Sequence, residues 1–314
     1  MNAYFVHAQF QDVSAVASDL IFLTEKYISP AAEASVYQAF GGWYTDVAPK
    51  DLFEVELALQ YNMLIVPSRS RSFYVNEAEL QNVSILGPQT SAQLPTALGN
   101  DNIVALQGTI NGGVFEFDAP EGINNKTIKH SQLQATVGLW KNTNVIVRYA
   151  PNLKINDANY QSYGVGVSHN LNQWIKPLKT SSYHLGVLFN YVSTSVDDTF
   201  NPVDLSLGTI NGILVNGETF GFSVLGSKSY KKFRFLTSLS LASSKFDYEV
   251  SGNGDFLLGI LNSSLARLNT SKVNFKGDVG VVYKLNDFSL SSMFTFGNYY
   301  NFNMGINYSF NKKK

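Results

Sequence analysis

Few groups in this chain could carry acid–base or nucleophilic chemistry: four histidines (His7, His130, His169, His184), scattered serines, and charged residues amounting to 15% of 314. Ser168 stands beside His169 and Tyr183 beside His184. Neighbours on a strand point to opposite faces, so neither histidine has an adjacent residue aligned as its nucleophile. The sequence holds no Gly-x-Ser-x-Gly element and no paired-histidine metal motif, and its lack of cysteine removes thiol catalysis, thiolate metal sites and disulfides together. The expectation is a protein that is not an enzyme, with no catalytic residues, no metal and no cofactor. Seven ionisable residues stand out for another reason. Glu54, Glu56, Arg148, His184, Arg234, Lys276 and Asp278 each lie on the polar side of an alternating stretch.

The elements that would position them have period two. Phe53, Val55, Leu57, Leu59, Tyr61 and Met63 alternate with mostly polar residues, as do Tyr183 to Tyr191, Phe233 to Leu241 and Val273 to Tyr283. Asn301–Phe310 sends Phe302, Met304, Ile306, Tyr308 and Phe310 to one face and only Asn, Gly and Ser to the other. Such strands can meet hydrocarbon on one side and a polar lumen on the other. Each stretch runs about 9 to 13 residues, enough for a tilted strand to cross a bilayer. Weaker candidates lie at 33–45, 102–118, 132–140, 144–152, 159–169, 217–227 and 287–297, bringing the count to about twelve within a range of ten to fourteen.

The bulk numbers agree with this pattern. Charge is well under the roughly 25% usual for soluble domains, while 17 Tyr, 22 Phe and 3 Trp supply aromatic surface. No run of 18 apolar residues exists, so a membrane-spanning form must be a closed barrel, the one sheet without an edge. Net charge is −1 with the basic residues dispersed, which gives nucleic acid no footprint. The expected fold is all-β: a transmembrane antiparallel up-and-down β-barrel with a short N-terminal helix, occupying residues 31–314 after a plug at 9–30.

That helix is read from Val13, Val16, Leu20, Leu23 and Tyr27, spaced by three and four and stopped by Pro30. It carries no cationic face for headgroups, which favours a place in the barrel over one on the membrane surface. Residues 1–8 (MNAYFVHA) read as the end of a secretory signal, with Val6 and Ala8 before a cleavage site and Gln9 opening the mature chain. Tight turns at 141–144, 227–231 and 286–287 fall on one side of the alternation, which should be periplasmic; 197–217 and 251–271 read as extracellular loops, and 64–101 as a long periplasmic connection. Trp140 and Trp174 at one rim and Trp43 at the other are expected in interfacial aromatic belts.

Three segments carry a resemblance. GGWYTDVAPKDLFEVELAL at 41–59, QATVGLWKNTNVIVRYAPNL at 134–153 and HNLNQWIKPLK from His169 resemble an uncharacterised family of Gram-negative outer-membrane barrels. That family has a GWYNTA-like element, a GLPKGTELKLRYLP-like hairpin and a G-x-G-x-x-H-x-x-x-x-x-L-P-like turn. The matching positions are Gly42, Trp43 and Tyr44, then Gly138, Arg148, Tyr149 and Pro151, then Gly164, Gly166, His169 and Trp174. Pro177 follows a Lys rather than a Leu, and Lys312 to Lys314 extend beyond the terminal aromatic. The helix-plus-barrel plan also resembles that of the long-chain fatty-acid transporter group, which uses an N-terminal hatch.

Both signs of charge on the polar row suit a neutralising network in a narrow barrel, since enclosed charges must be paired or hydrated. The resemblance implies an integral protein of the cell outer membrane with lipid as its first partner. Two functions are expected: a channel or transporter for a small, including a hydrophobic, solute, or a non-conducting barrel within a larger outer-membrane or secretion assembly, with other envelope proteins as partners.

Overall fold

The computed structural model describes residues 2–310 except 111, 156–157, 206–207 and 268–269. Ten strands form the closed barrel: β1 (Val55–Ile65), β7 (Thr127–Leu139), β8 (Thr143–Ile155), β9 (Ala158–Asn170), β10 (Tyr183–Asp204), β11 (Thr209–Tyr230), β12 (Phe233–Asn253), β13 (Thr270–Leu285), β14 (Phe288–Phe296) and β15 (Tyr300–Phe310). All neighbours are antiparallel, and β1 closes the ring by pairing with β15 on one side (Val55 opposite Phe310) and β7 on the other (Val55 opposite Val137). Closure leaves no unpaired edge. In β8 the register shifts between Ala150 and Leu153, where Pro151 cannot donate to a ladder.

Parity places the side chains as the alternation requires. Along β12, Phe233, Phe235, Leu239 and Leu241 are exposed, while Leu236, Ser238, Ser240 and Ala242 are buried. The outward row is apolar around the ring, and Tyr183, Tyr230, Phe233, Phe288 and Phe310 gather as an aromatic girdle at the short-turn rim. No helix among the described residues is long and apolar enough to cross a membrane.

The ring has ten strands rather than twelve because two of the expected ones lie elsewhere. Residues 102–118 form β5 (Ala105–Ile110) and β6 (Gly113–Asp118), six residues each and too short to span a bilayer. They pair with β3 (Val83–Ile85) in one small sheet, while β2 (Ser72–Asn76) and β4 (Ser91–Pro95) form another. Both sheets cap the rim opposite the tight turns. The connection that contains 64–101 therefore stands on the long-loop side, a correction to its expected place. The loops expected at 197–217 and 251–271 are also more ordered: β10 and β11 run on through most of the first, and the second contains α2 (Asp255–Leu265), whose Leu257, Leu261 and Leu265 are buried at every fourth position.

The other displaced segment, 33–45, ends the helix. Helix α1 spans Asn2–Phe40, so Pro30 does not stop it. An interior proline forfeits one helical bond at a cost of about 3 kcal/mol, and here enclosure offsets it: Ile28 and Ala32 are buried, and the Tyr299 hydroxyl donates to the Pro30 carbonyl at 2.7 Å. Every residue from Ala34 to Thr45 is buried. A segment surrounded on all sides has no polar face to set its period, which is why its alternate apolar residues also fitted a strand. The tail at Lys312 to Lys314 lies outside the described residues.

Candidate functional site: the plugged lumen

Helix α1 enters from the capped rim. There the buried Asp19 carboxylate accepts backbone N–H bonds from Gln81, Asn82 and Val83 at 2.8–3.0 Å, and Tyr27 bonds Ala97 and Glu121. The helix ends at mid-barrel, and residues 41–54 continue as a strap down the lumen to the short-turn rim, where β1 begins. Its path is set by carbonyl and side-chain contacts to the wall: Gln60 donates to Gly42 O at 2.9 Å and Asn170 donates to Val47 O at 2.9 Å.

The helix C-terminus is where the inward charges converge. The last carbonyls of a helix lack partners and carry partial negative charge. Arg148 on β8 donates to Ala39 O at 2.9 Å and Gly41 O at 2.8 Å and to Gln134 at 2.6 Å, while its guanidinium covers the Trp43 ring at 4.3 Å. Lys276 on β13 donates to Phe40 O at 3.1 Å and pairs with Asp278 at 2.9 Å; Asp278 in turn accepts from Ser238 and Thr295. Two cations on different walls thus clasp one helix end. Around them a row of amides completes the inner wall, with Gln38 bonded to His130 at 2.7 Å and Asn303 to Asn62 at 2.9 Å.

A second cluster lies at the short-turn rim. Glu56 pairs with Lys50 at 2.9 Å and accepts from Thr45; Glu54 lies 3.9 Å from Lys50; Arg234 is ion-paired with Asp46. Burial pushes the Asp46 carboxyl above its ordinary range, and Arg234 beside it pulls it part of the way back. His184 approaches Asn172 at 3.3 Å. The seven sequence-predicted residues therefore all face inward, in two groups rather than one, and most of them hold the plug.

Trp43 is the correction. Expected in an interfacial belt, it is 2% exposed, inside the barrel, whereas Trp140 and Trp174 are 63% and 68% exposed at the short-turn rim. Its place is made by glycine: a Cβ on Gly166 would come within 2.9 Å of the indole, and one on Gly164 within 3.0 Å. Motif positions far apart in sequence (43, 148, 164 and 166) thus form one contact. Sequence reasoning missed Trp43, Asp46 and Lys50 as lumen residues because the strap has no period; it missed His130 because β7 begins several residues before the alternation becomes regular.

The lumen at mid-height is filled by protein, and among the described residues no group of three metal-ligating side chains forms. What the site does is hold the helix end and the strap against the barrel wall.

Solved structures similar to this chain include the translocator domain of autotransporter NalP from Neisseria meningitidis (10% identity, TM-score 0.44, covering 92% of this chain and 99% of that one). Others are the outer-membrane protease OmpT from Escherichia coli (9%, TM-score 0.34, 83% and 97%) and the beta domain of the Bordetella autotransporter BrkA (9%, TM-score 0.36, 82% and 100%). Among the curated proteins none matches. The family described as "Family of unknown function (DUF6588)" matches residues 1–310, and the chain belongs to it.

Proposed function

We propose that this protein is an integral outer-membrane barrel that passes a small solute when its N-terminal plug is displaced. The short-turn rim, where the barrel strands begin and end, faces the periplasm in this reading, and the capped rim faces outward. Cleavage ahead of Gln9 belongs to the same proposal and is read by N-terminal sequencing of the exported protein.

The observation that supports passage is the chemistry of the wall behind the plug. Gln60, Asn62, Gln132, Gln134, Ser238, Ser240, Asn301 and Asn303 are buried amides and hydroxyls, several of them bonded to plug backbone. Each such bond contributes a net of about 0.5–1.5 kcal/mol because water can take its place. Displacing the plug would leave a hydrated pore rather than a bare apolar tube. The rival is a permanently filled barrel acting as a subunit of a larger assembly.

Liposome uptake separates the two. Protein lacking residues 2–47 should admit small uncharged solutes that the whole chain excludes. A folded, truncated barrel that stays sealed would contradict passage and leave the subunit reading.

A further inference from the structure

We propose that the capped rim holds a binding site for a small, uncharged, apolar molecule, in a cavity between residues 20–27 of α1 and the two small sheets. This deepens the passage reading by naming the class of solute. The cavity is about 60 Å³ and is walled by four separate units: α1, the β2–β4 sheet, the β3–β5–β6 sheet and the tips of β10 to β12. Leu23 on the helix lines it together with Phe73, Phe117 and Phe200. A meeting point of four units is where close packing is hardest to complete, and an apolar void gains contacts from an apolar guest.

The wall selects by what it lacks. Of its 17 lining residues none is charged, and only Thr24 and Tyr27 have polar side-chain atoms; the Tyr27 hydroxyl is already donated to Glu121 O at 2.8 Å. A charged or multiply polar molecule entering here would lose its hydration with nothing to replace it. The size is below the roughly 150 Å³ of an apolar cavity known to accept benzene, so the guest is a short aliphatic molecule or chain end, with at most one hydrogen-bonding group for Thr24.

The helix ties this cavity to the lumen. Leu20, Leu23, Thr24 and Tyr27 line it, and a second cavity of about 60 Å³ is lined by Ile28, Ala31, Ala34, Ser35 and Gln38. Positions 20, 24, 27, 31, 34 and 38 fall on one face of an α-helix. One stripe of the plug therefore fronts both voids in turn, apolar at the rim and ending inside at Gln38, which is bonded to His130. A guest that binds more tightly when the helix shifts would bias the plug outward, since a ligand moves an equilibrium only by its differential affinity.

Crystals of the whole protein soaked in 1-bromopropane test the site through bromine anomalous scattering. Density is expected between Leu23 and Ala119 in the wild type and absent in Ala119→Leu, which fills the void; Leu23→Phe, filling it from the helix side, should give the same loss. Bromine found only in the lipid-facing grooves, or occupying the cavity undiminished in both variants, would overturn the proposal. This readout is independent of conduction: an empty cavity in a barrel that conducts once unplugged removes the solute class alone, and an occupied cavity in a barrel that stays sealed removes passage alone.

Discussion

The Arg148 guanidinium lies 4.3 Å from the centre of the Trp43 ring and donates to two carbonyls at the end of the helix that precedes it, with no carboxylate in its bonding set among the described residues. A buried cation ordinarily needs an acid. Here the helix terminus and an aromatic face take that role. The contact joins the barrel wall to the plug at the one place where the helix becomes the strap.

Replacing Arg148 tests that junction. Arg148→Ala leaves the carbonyls of Ala39 and Gly41 without this donor and uncovers Trp43, for an expected loss of about 1–3 kcal/mol for each buried acceptor left unsatisfied. Arg148→Lys should recover only part, because an ammonium cannot bridge two carbonyls, Gln134 and an indole face together. Limited proteolysis of the strap is the readout: cleavage within 41–54 rises strongly in the Ala variant and less in the Lys variant. Equal protection in all three would mean that Arg148 does not retain the plug.

The glycine floor under Trp43 gives a steric test. Gly166→Ala would place a methyl 2.9 Å from the indole, an overpacking change of about 1–3 kcal/mol. Trp140 and Trp174 are already exposed, so a shift of Trp43 toward water should appear as a red shift in fluorescence in a Trp140→Phe/Trp174→Phe background. An unchanged spectrum would refute the packing described.

Lipid-face parity predicts a depth dependence along β12. Leu239 is 57% exposed, three outward positions up the strand from Phe233, which stands at the rim. An arginine should cost about 2–4 kcal/mol at the first position and about 0–1 at the second. Assembly, followed by the gel shift between folded and boiled protein, should fail for Leu239→Arg and proceed for Phe233→Arg. The partner residue Ser238 is no control, since it is 3% exposed and packed against Asp278 inside a filled lumen.

The proposed orientation can be tested by labelling. The upper part of α1 belongs to the capped rim, and the Tyr230–Phe233 turn to the opposite one. In a chain without cysteine, Ser18→Cys should react with a membrane-impermeant maleimide on intact cells and Lys232→Cys only after the outer membrane is opened. The reverse pattern would invert the orientation.

Much of this architecture was legible wherever a segment has two different surroundings. Phe233 to Leu241 and Phe302 to Phe310 turn an apolar row outward on one side and a polar row to the lumen on the other, and their period shows it. The plug was legible only at its amphipathic part, 12–28, because beyond Pro30 the chain is buried on every side and apolar residues follow no single period. The same uniform burial hid Trp43: an aromatic near the start of a barrel strand fits a membrane belt, and only the distant Gly164 and Gly166, with Arg148 between, mark it as internal. Strand length decided the last error, since 102–118 alternates well enough for a sheet but turns at Gly112 into two short pieces.

Single-channel conductance in a planar bilayer is the most direct test that the helix and strap are a displaceable seal on a hydrated pore. The account predicts a silent wild-type barrel and discrete openings in Arg148→Ala, in protein verified as folded by its gel shift. Persistent silence of that variant despite a strap shown by proteolysis to be released, or a wild type that conducts as the variant does, would contradict it.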